Sequence, residues 1–126
     1  MKTFQSNNDE NYRKLWDEER VQSCCKVLTE ETYKKIVLDF FEKNNRIDRL
    51  IEAINSEQTK LILKECHSLR GASSMIGLIA FDDLIDTIEQ SIKKQSQLNK
   101  IKIINMLNDL LRDAQNHFLK LTEIKE

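Results

Sequence analysis

Few side chains in this chain could do chemistry, and one short stretch concentrates the most suggestive of them. Residues 65–77 read ECHSLRGASSMIG. The stretch holds His67, one of two histidines, and both of the chain's glycines, Gly71 and Gly77; proline is absent throughout. Lys60, Lys64 and Arg70 stand close by in sequence. A neutral imidazole is a nucleophile, and with an ordinary pKa of ~6.5 a histidine is substantially neutral near pH 7. Cations around such a ring suit a negatively charged, phosphate-like reactant, because they offset and hydrogen-bond its oxygens. A histidine and lysines on an ordinary solvated helix face are the competing reading, and these residues alone leave both open.

Other candidate chemistry is weaker. Cys24, Cys25 and Cys66 are an odd count with an adjacent pair, a poor disulfide framework. A zinc site combining them with His67 or His117 finds no CxxC or HxxxH spacing, so no metal is expected and the thiols read as small buried hydrophobes. His117 has neither a cation cluster nor a flanking glycine and reads as structural. Asp82 and Asp83 fit the acidic first turn of a helix, where the dipole favours them, rather than an acid–base pair. Glu89 reads as a helix-surface or packing residue, Trp16, Phe40 and Phe41 as core.

The elements that must position His67 are helices. Of 126 residues, 33% are charged, 40% apolar and 6% aromatic, which suits one all-helical domain. A net charge of −1 excludes a strongly basic nucleic-acid binder. No apolar run approaches the ~20 residues that span a bilayer. MKTFQSNNDE lacks the apolar core of a signal peptide, so a cytoplasmic location is expected. Residues 1–10 read as a disordered or frayed tail and 11–126 as the helical domain.

Tyr12, Leu15, Trp16, Val21, Cys24, Cys25 and Leu28 mark a first helix, or two short ones. The row from Tyr33 through Val37, Phe40, Ile47 and Leu50 to Ile54 predicts one long helix, with Asn44-Asn45 only a mild interruption. Thr29 is its expected N-cap, with Leu28 stapling against Tyr33, and Asn55-Ser56 is expected to end it and cap the next. A third helix runs from about Glu57 to Ile76. Phe81, Leu84, Ile85, Ile88 and Ile92 mark a fourth, Gln95 to Asn99 a turn, and Ile101 through Leu121 a fifth. Short connections make antiparallel neighbours. The expected fold is an antiparallel up-down four-helix bundle with an additional N-terminal helix, and a monomer.

On the third helix, Ile62, Leu69 and Ile76 form the apolar seam, with Cys66 and Ser73 beside it. At ~100° per residue, His67 lies ~140° from Ile62, ~160° from Leu69 and ~180° from Ile76, so it faces away from the core. Lys60, Lys64, Gly71 and Ser74 share its face and Arg70 borders it. Glycine inside a helix costs about 1 kcal/mol relative to alanine. What Gly71 offers is room for a partner beside the imidazole. Alternatively it is a C-cap ending the helix at Arg70. The seam continuing to Ile76 favours Gly77 for that role.

At these residues the sequence resembles the histidine phosphotransfer (HPt) domain family, whose signature is H-x-L-K-G, small residues, and a second glycine ten after the histidine. Here it reads His67-Ser68-Leu69-Arg70-Gly71, then Ala72-Ser73-Ser74, then Gly77, with Phe81, Leu84, Ile85, Ile88 and Glu89 at the family's following offsets. The resemblance extends over roughly Val21 to Leu121. Two departures stand out: Arg70 replaces the usual lysine, and Cys66 replaces a common alanine.

The resemblance implies a four-helix bundle that neither binds ATP nor phosphorylates itself. It implies that His67 Nε2 accepts a phosphoryl group from a receiver-domain aspartate and passes it to another receiver. Arg70 and Lys64 would offset phosphoryl charge, Gly71 would admit the partner, and Ser74 could hydrogen-bond nearby. Leu63, Lys60 and Leu78, taken as exposed, would contribute to docking. Receiver domains of response regulators or a hybrid histidine kinase are the implied partners, with no nucleic acid or membrane. No cofactor is implied here; magnesium belongs to the receiver. Two alternatives remain. A kinase-type dimerisation domain with an H-E-L-R-T-P-like box lacks its proline here, and the chain has no room for an ATP-binding domain. A non-catalytic helical adaptor would bind partners without phosphotransfer.

Overall fold

The computed structural model describes residues 15–43 and 45–124. The expected tail, Tyr12 and the start of the first helical stretch lie outside these residues. Among the described residues six helices carry the fold: α1 (Glu18–Leu28), α2 (Glu30–Glu42), α3 (Arg46–Ser56), α4 (Thr59–Met75), α5 (Asp82–Lys93) and α6 (Lys100–Ile124). No strand forms among the described residues, apart from a single antiparallel bridge between Trp16 and Leu78. None of the helices there is long and apolar enough to cross a membrane.

Helix α3 packs on α4, α4 on α5, α5 on α6, and α6 back on α3. This closed ring is the antiparallel four-helix bundle, and α1 lies against α2 as the additional N-terminal helix. Caps set several helix starts. Asp17 accepts a hydrogen bond from the Arg20 N–H, the Thr29 hydroxyl accepts one from the Thr32 N–H, as expected, and the Asn99 side chain accepts one from the Lys102 N–H.

Two expectations about the long second helix are corrected. It is not continuous: α2 stops at Glu42, the Lys43 N–H closes onto the Asp39 carbonyl at 2.9 Å, and α3 starts only at Arg46. The apolar row 33, 37, 40, 47, 54 has asparagine where the seam passes position 44, so a continuous helix would gain no burial there. Asparagine also competes for backbone hydrogen bonds and favours turns. Nor does Ser56 cap the next helix. Its hydroxyl donates back to the Ala53 carbonyl at 2.9 Å, Glu57 ends α3 in the left-handed region at φ 59°, and Gln58 precedes α4 without a side-chain cap.

The expected seam of α4 is buried: Ile62, Leu69 and Ile76 face the core, with Cys66 and Ser73 beside them. The helix ends in a Schellman turn. The Gly77 N–H donates to the Ser74 carbonyl at 3.1 Å and the Leu78 N–H to the Ser73 carbonyl at 2.9 Å. Gly77 has φ +85°, and a Cβ there would lie 3.0 Å from Val21 Cγ2 and 3.3 Å from the Asp17 carbonyl oxygen. Glycine is therefore required twice, for the backbone angle and for the approach of the N-terminal segment. That segment pairs with the turn: the Asp17 N–H donates to the Gly77 carbonyl at 2.7 Å and the Ile79 N–H to that of Leu15 at 2.9 Å.

Candidate functional site

The exposed side of α4 carries the candidate cluster. His67 is exposed, and so are Lys60, Lys64, Gly71 and Ser74 on the same face, as helical period requires. Among the described residues the His67 ring has no hydrogen-bond or ion-pair partner. Helical side chains lean toward the N-terminus, so a side chain at position 71 would lean over His67. Gly71 has none. A Cβ added there would meet nothing within 4 Å, and α4 continues past it to Met75. The glycine is therefore neither a cap nor demanded by packing; it leaves the imidazole uncovered.

Polar contacts to both neighbouring helices fix how α4 is rotated. On the α3 side, Arg46 Nε donates to Ser68 Oγ at 3.1 Å, and Arg49 Nε to Glu65 Oε1 at 3.3 Å. Glu65 is buried, so its pairing with Arg49 meets the requirement that a buried charge find a partner. On the α5 side, Arg70 divides its fork between two carboxylates one turn apart: Nη2 lies 2.5 Å from Asp86 Oδ1 and Nη1 3.2 Å from Glu89 Oε1. Burial works against the guanidinium's charge, but Glu89, Asp86 and Asp82 outweigh it and hold the Arg70 pKa above its ordinary value.

Beneath this surface, burial pushes the Cys66 thiol up to about 12, with Glu89 adding to the effect and Arg70 opposing it. Cys66 is fully buried and packs in the core as a protonated thiol at neutral pH. The Cys24 thiol donates to the Met75 carbonyl at 3.3 Å. Among the described residues no group of three or more His, Cys, Asp or Glu could hold a metal ion. Asp82 and Asp83 do form the acidic first turn of α5. Burial raises the Asp82 carboxyl above its ordinary value, Arg70 opposing and Asp86 and Asp83 reinforcing, and among the described residues its buried Oδ1 has no partner. His117 lies on α6, with Nδ1 3.1 Å from the Asp113 carbonyl oxygen.

The docking residues read from the sequence separate here. Lys60 is exposed and Leu63 half-buried on the His67 side of α4. Leu78, expected to be exposed, is instead fully buried and bridged to Trp16, because the N-terminal segment packs over the turn after α4, so it cannot touch a partner. The apolar side chain that α4 does expose is Met75, at 67%. Arg46, Arg49 and Glu65 were not singled out from the sequence. The i, i+3 pair Arg46 and Arg49, and Glu65 on the next helix, look like ordinary surface charge until α3 and α4 are set side by side.

A family model for the Hpt domain matches residues 36–117. The chain belongs to the Hpt domain family. The match runs from within α2 to near the end of α6 and takes in all of α4, so the whole His67 face falls inside the Hpt region; α1 falls outside it. No curated protein and no solved structure matches the chain. Hpt domains act in histidine phosphotransfer in two-component signalling. In this Hpt domain the basic position three after the histidine is Arg70, and its guanidinium is held against α5.

Proposed function

We propose that this protein is a phosphoryl carrier of a phosphorelay, with His67 as its acceptor. The observation that carries the reading is an exposed imidazole without a partner among the described residues, next to a helical glycine that packing does not require. Neutral His67 attacks the phosphorus of a receiver's aspartyl phosphate through Nε2. The P–N bond forms as the P–O bond to the aspartate breaks. The aspartate leaves as a carboxylate, and the imidazole's remaining N–H proton passes to solvent. Transfer to a second receiver reverses these bond changes.

Phosphoryl transfer needs positioning and charge neutralisation more than covalent help. In this reading the receiver supplies the magnesium ion and most of the catalysis, and this chain supplies an accessible nucleophile and nearby cations. Its partners are receiver domains of response regulators or of a hybrid kinase, and it works as a cytoplasmic monomer.

The test is the intact-protein mass after incubation with phosphoramidate or with a phosphorylated receiver, for the wild type and His67→Gln. One acid-labile phosphoryl adduct in the wild type, absent from the variant, is expected. No adduct from either donor would overturn the reading and favour a non-catalytic adaptor, for which His67→Gln leaves partner binding intact.

A further inference from the structure

We infer that Lys64, not Arg70, is the residue of α4 whose charge meets the phosphoryl group on His67, and that Arg70 is a brace between α4 and α5. This rests on His67 being the acceptor. Arg70 stands at the position where an HPt signature carries its lysine, and both of its terminal nitrogens are already engaged, with Asp86 at 2.5 Å and Glu89 at 3.2 Å. A planar fork suits two carboxylates at once; an ammonium group is a single point charge. Those carboxylates outnumber the guanidinium, so the α5 flank of the site is net negative. A dianionic phosphoryl group would have to compete with both carboxylates for Arg70.

Lys64 is situated differently. It lies one helical turn before His67 on the same face, is exposed, and has no carboxylate partner among the described residues. The imidazole leans toward the turn that carries it, since helical side chains tilt toward the N-terminus. Four rotatable bonds let the ammonium follow a phosphoryl group. Its charge also lies away from the acidic α5 flank, on the side where Arg46 from α3 contacts Ser68.

The experiment uses the whole chain and phosphoramidate alone, so that no receiver contact enters. Each variant is followed by the rate of adduct formation, by the half-life of the acid-labile adduct, and by thermal unfolding. Lys64→Gln is expected to change the rate or the half-life at least threefold with an unchanged melting temperature. Arg70→Gln is expected to lower the melting temperature and change both phosphoryl readouts less than twofold. Arg70→Lys keeps the charge but loses the fork; it covers the case in which Arg70→Gln does not fold, and is expected to melt lower than the wild type with its phosphoryl readouts preserved. Wild-type behaviour in Lys64→Gln, or a larger phosphoryl effect in either Arg70 variant, would overturn the inference. An adduct that survives in His67→Gln would instead remove the acceptor assignment itself, and the two failures are thereby distinguished.

Discussion

Gly71 isolates the demand of a partner from the demand of the helix. Nothing lies within 4 Å of a Cβ added at this position, so alanine fits without displacement. Gly71→Ala should raise stability by up to about 1 kcal/mol, the difference in helix propensity. Gly71→Gln should also fold, but its side chain would lean over His67. The expected outcome is a Gly71→Gln protein that still reacts with phosphoramidate and accepts phosphate from a receiver at least tenfold more slowly. Denaturant unfolding and a receiver-transfer assay check the two parts. Equal slowing with both donors would place the effect on the imidazole rather than on partner access. That His67, Lys60, Lys64, Gly71 and Ser74 share one exposed face was legible at this scale, because a helix's period alone fixes which side chains share a face. The engagement of Arg70 was not. A long charged side chain beside an exposed histidine has the same spacing whether it is held by α5 or not.

Helices α4 and α1 meet through the turn that ends α4. Gly77 closes the Schellman turn at φ +85°, with the Asp17 carbonyl and Val21 packed where a side chain would stand. Gly77→Ala should destabilise the fold by about 1–3 kcal/mol, from left-handed backbone strain together with crowding. A shift of the denaturant midpoint with unchanged slope would show this, whereas a cost below about 0.5 kcal/mol would mean that the segment yields freely. Gly77 as a helix end was readable from where the seam stops. The separation of α2 from α3 was harder to read. Apolar residues keep the same period on both sides of positions 44 and 45, and periodicity registers only that continuity. The break lies in what asparagine fails to bury.

Across the whole molecule, contacts distant in sequence tie the ends of the bundle together. Trp16 Nε1 donates to the Ala114 carbonyl at 3.3 Å, and its ring lies 5.4 Å from that of Phe118, which Tyr33 meets edge-on at 6.2 Å. The Tyr33 hydroxyl donates to the Ile76 carbonyl at 2.6 Å in the interior, joining α2 to the end of α4. Tyr33→Phe leaves that carbonyl without this donor and should cost about 1–2 kcal/mol, with no change in phosphorylation of His67 at temperatures where the variant is folded. Calorimetry and adduct formation measured on one sample check both statements.

Fold class, the number of bundle helices and the face that holds His67 follow from local properties: composition, helical period, and the spacing of His67, Gly71 and Gly77. Neighbouring residues along the chain enforce these in any helix, so they are legible before folding is considered. The burial of Leu78, the pairing of Arg49 with Glu65 and the capture of Arg70 by Asp86 and Glu89 depend on which helices lie side by side and at what rotation. Those contacts join residues far apart in the chain, and a long side chain takes whichever partner packing brings within reach.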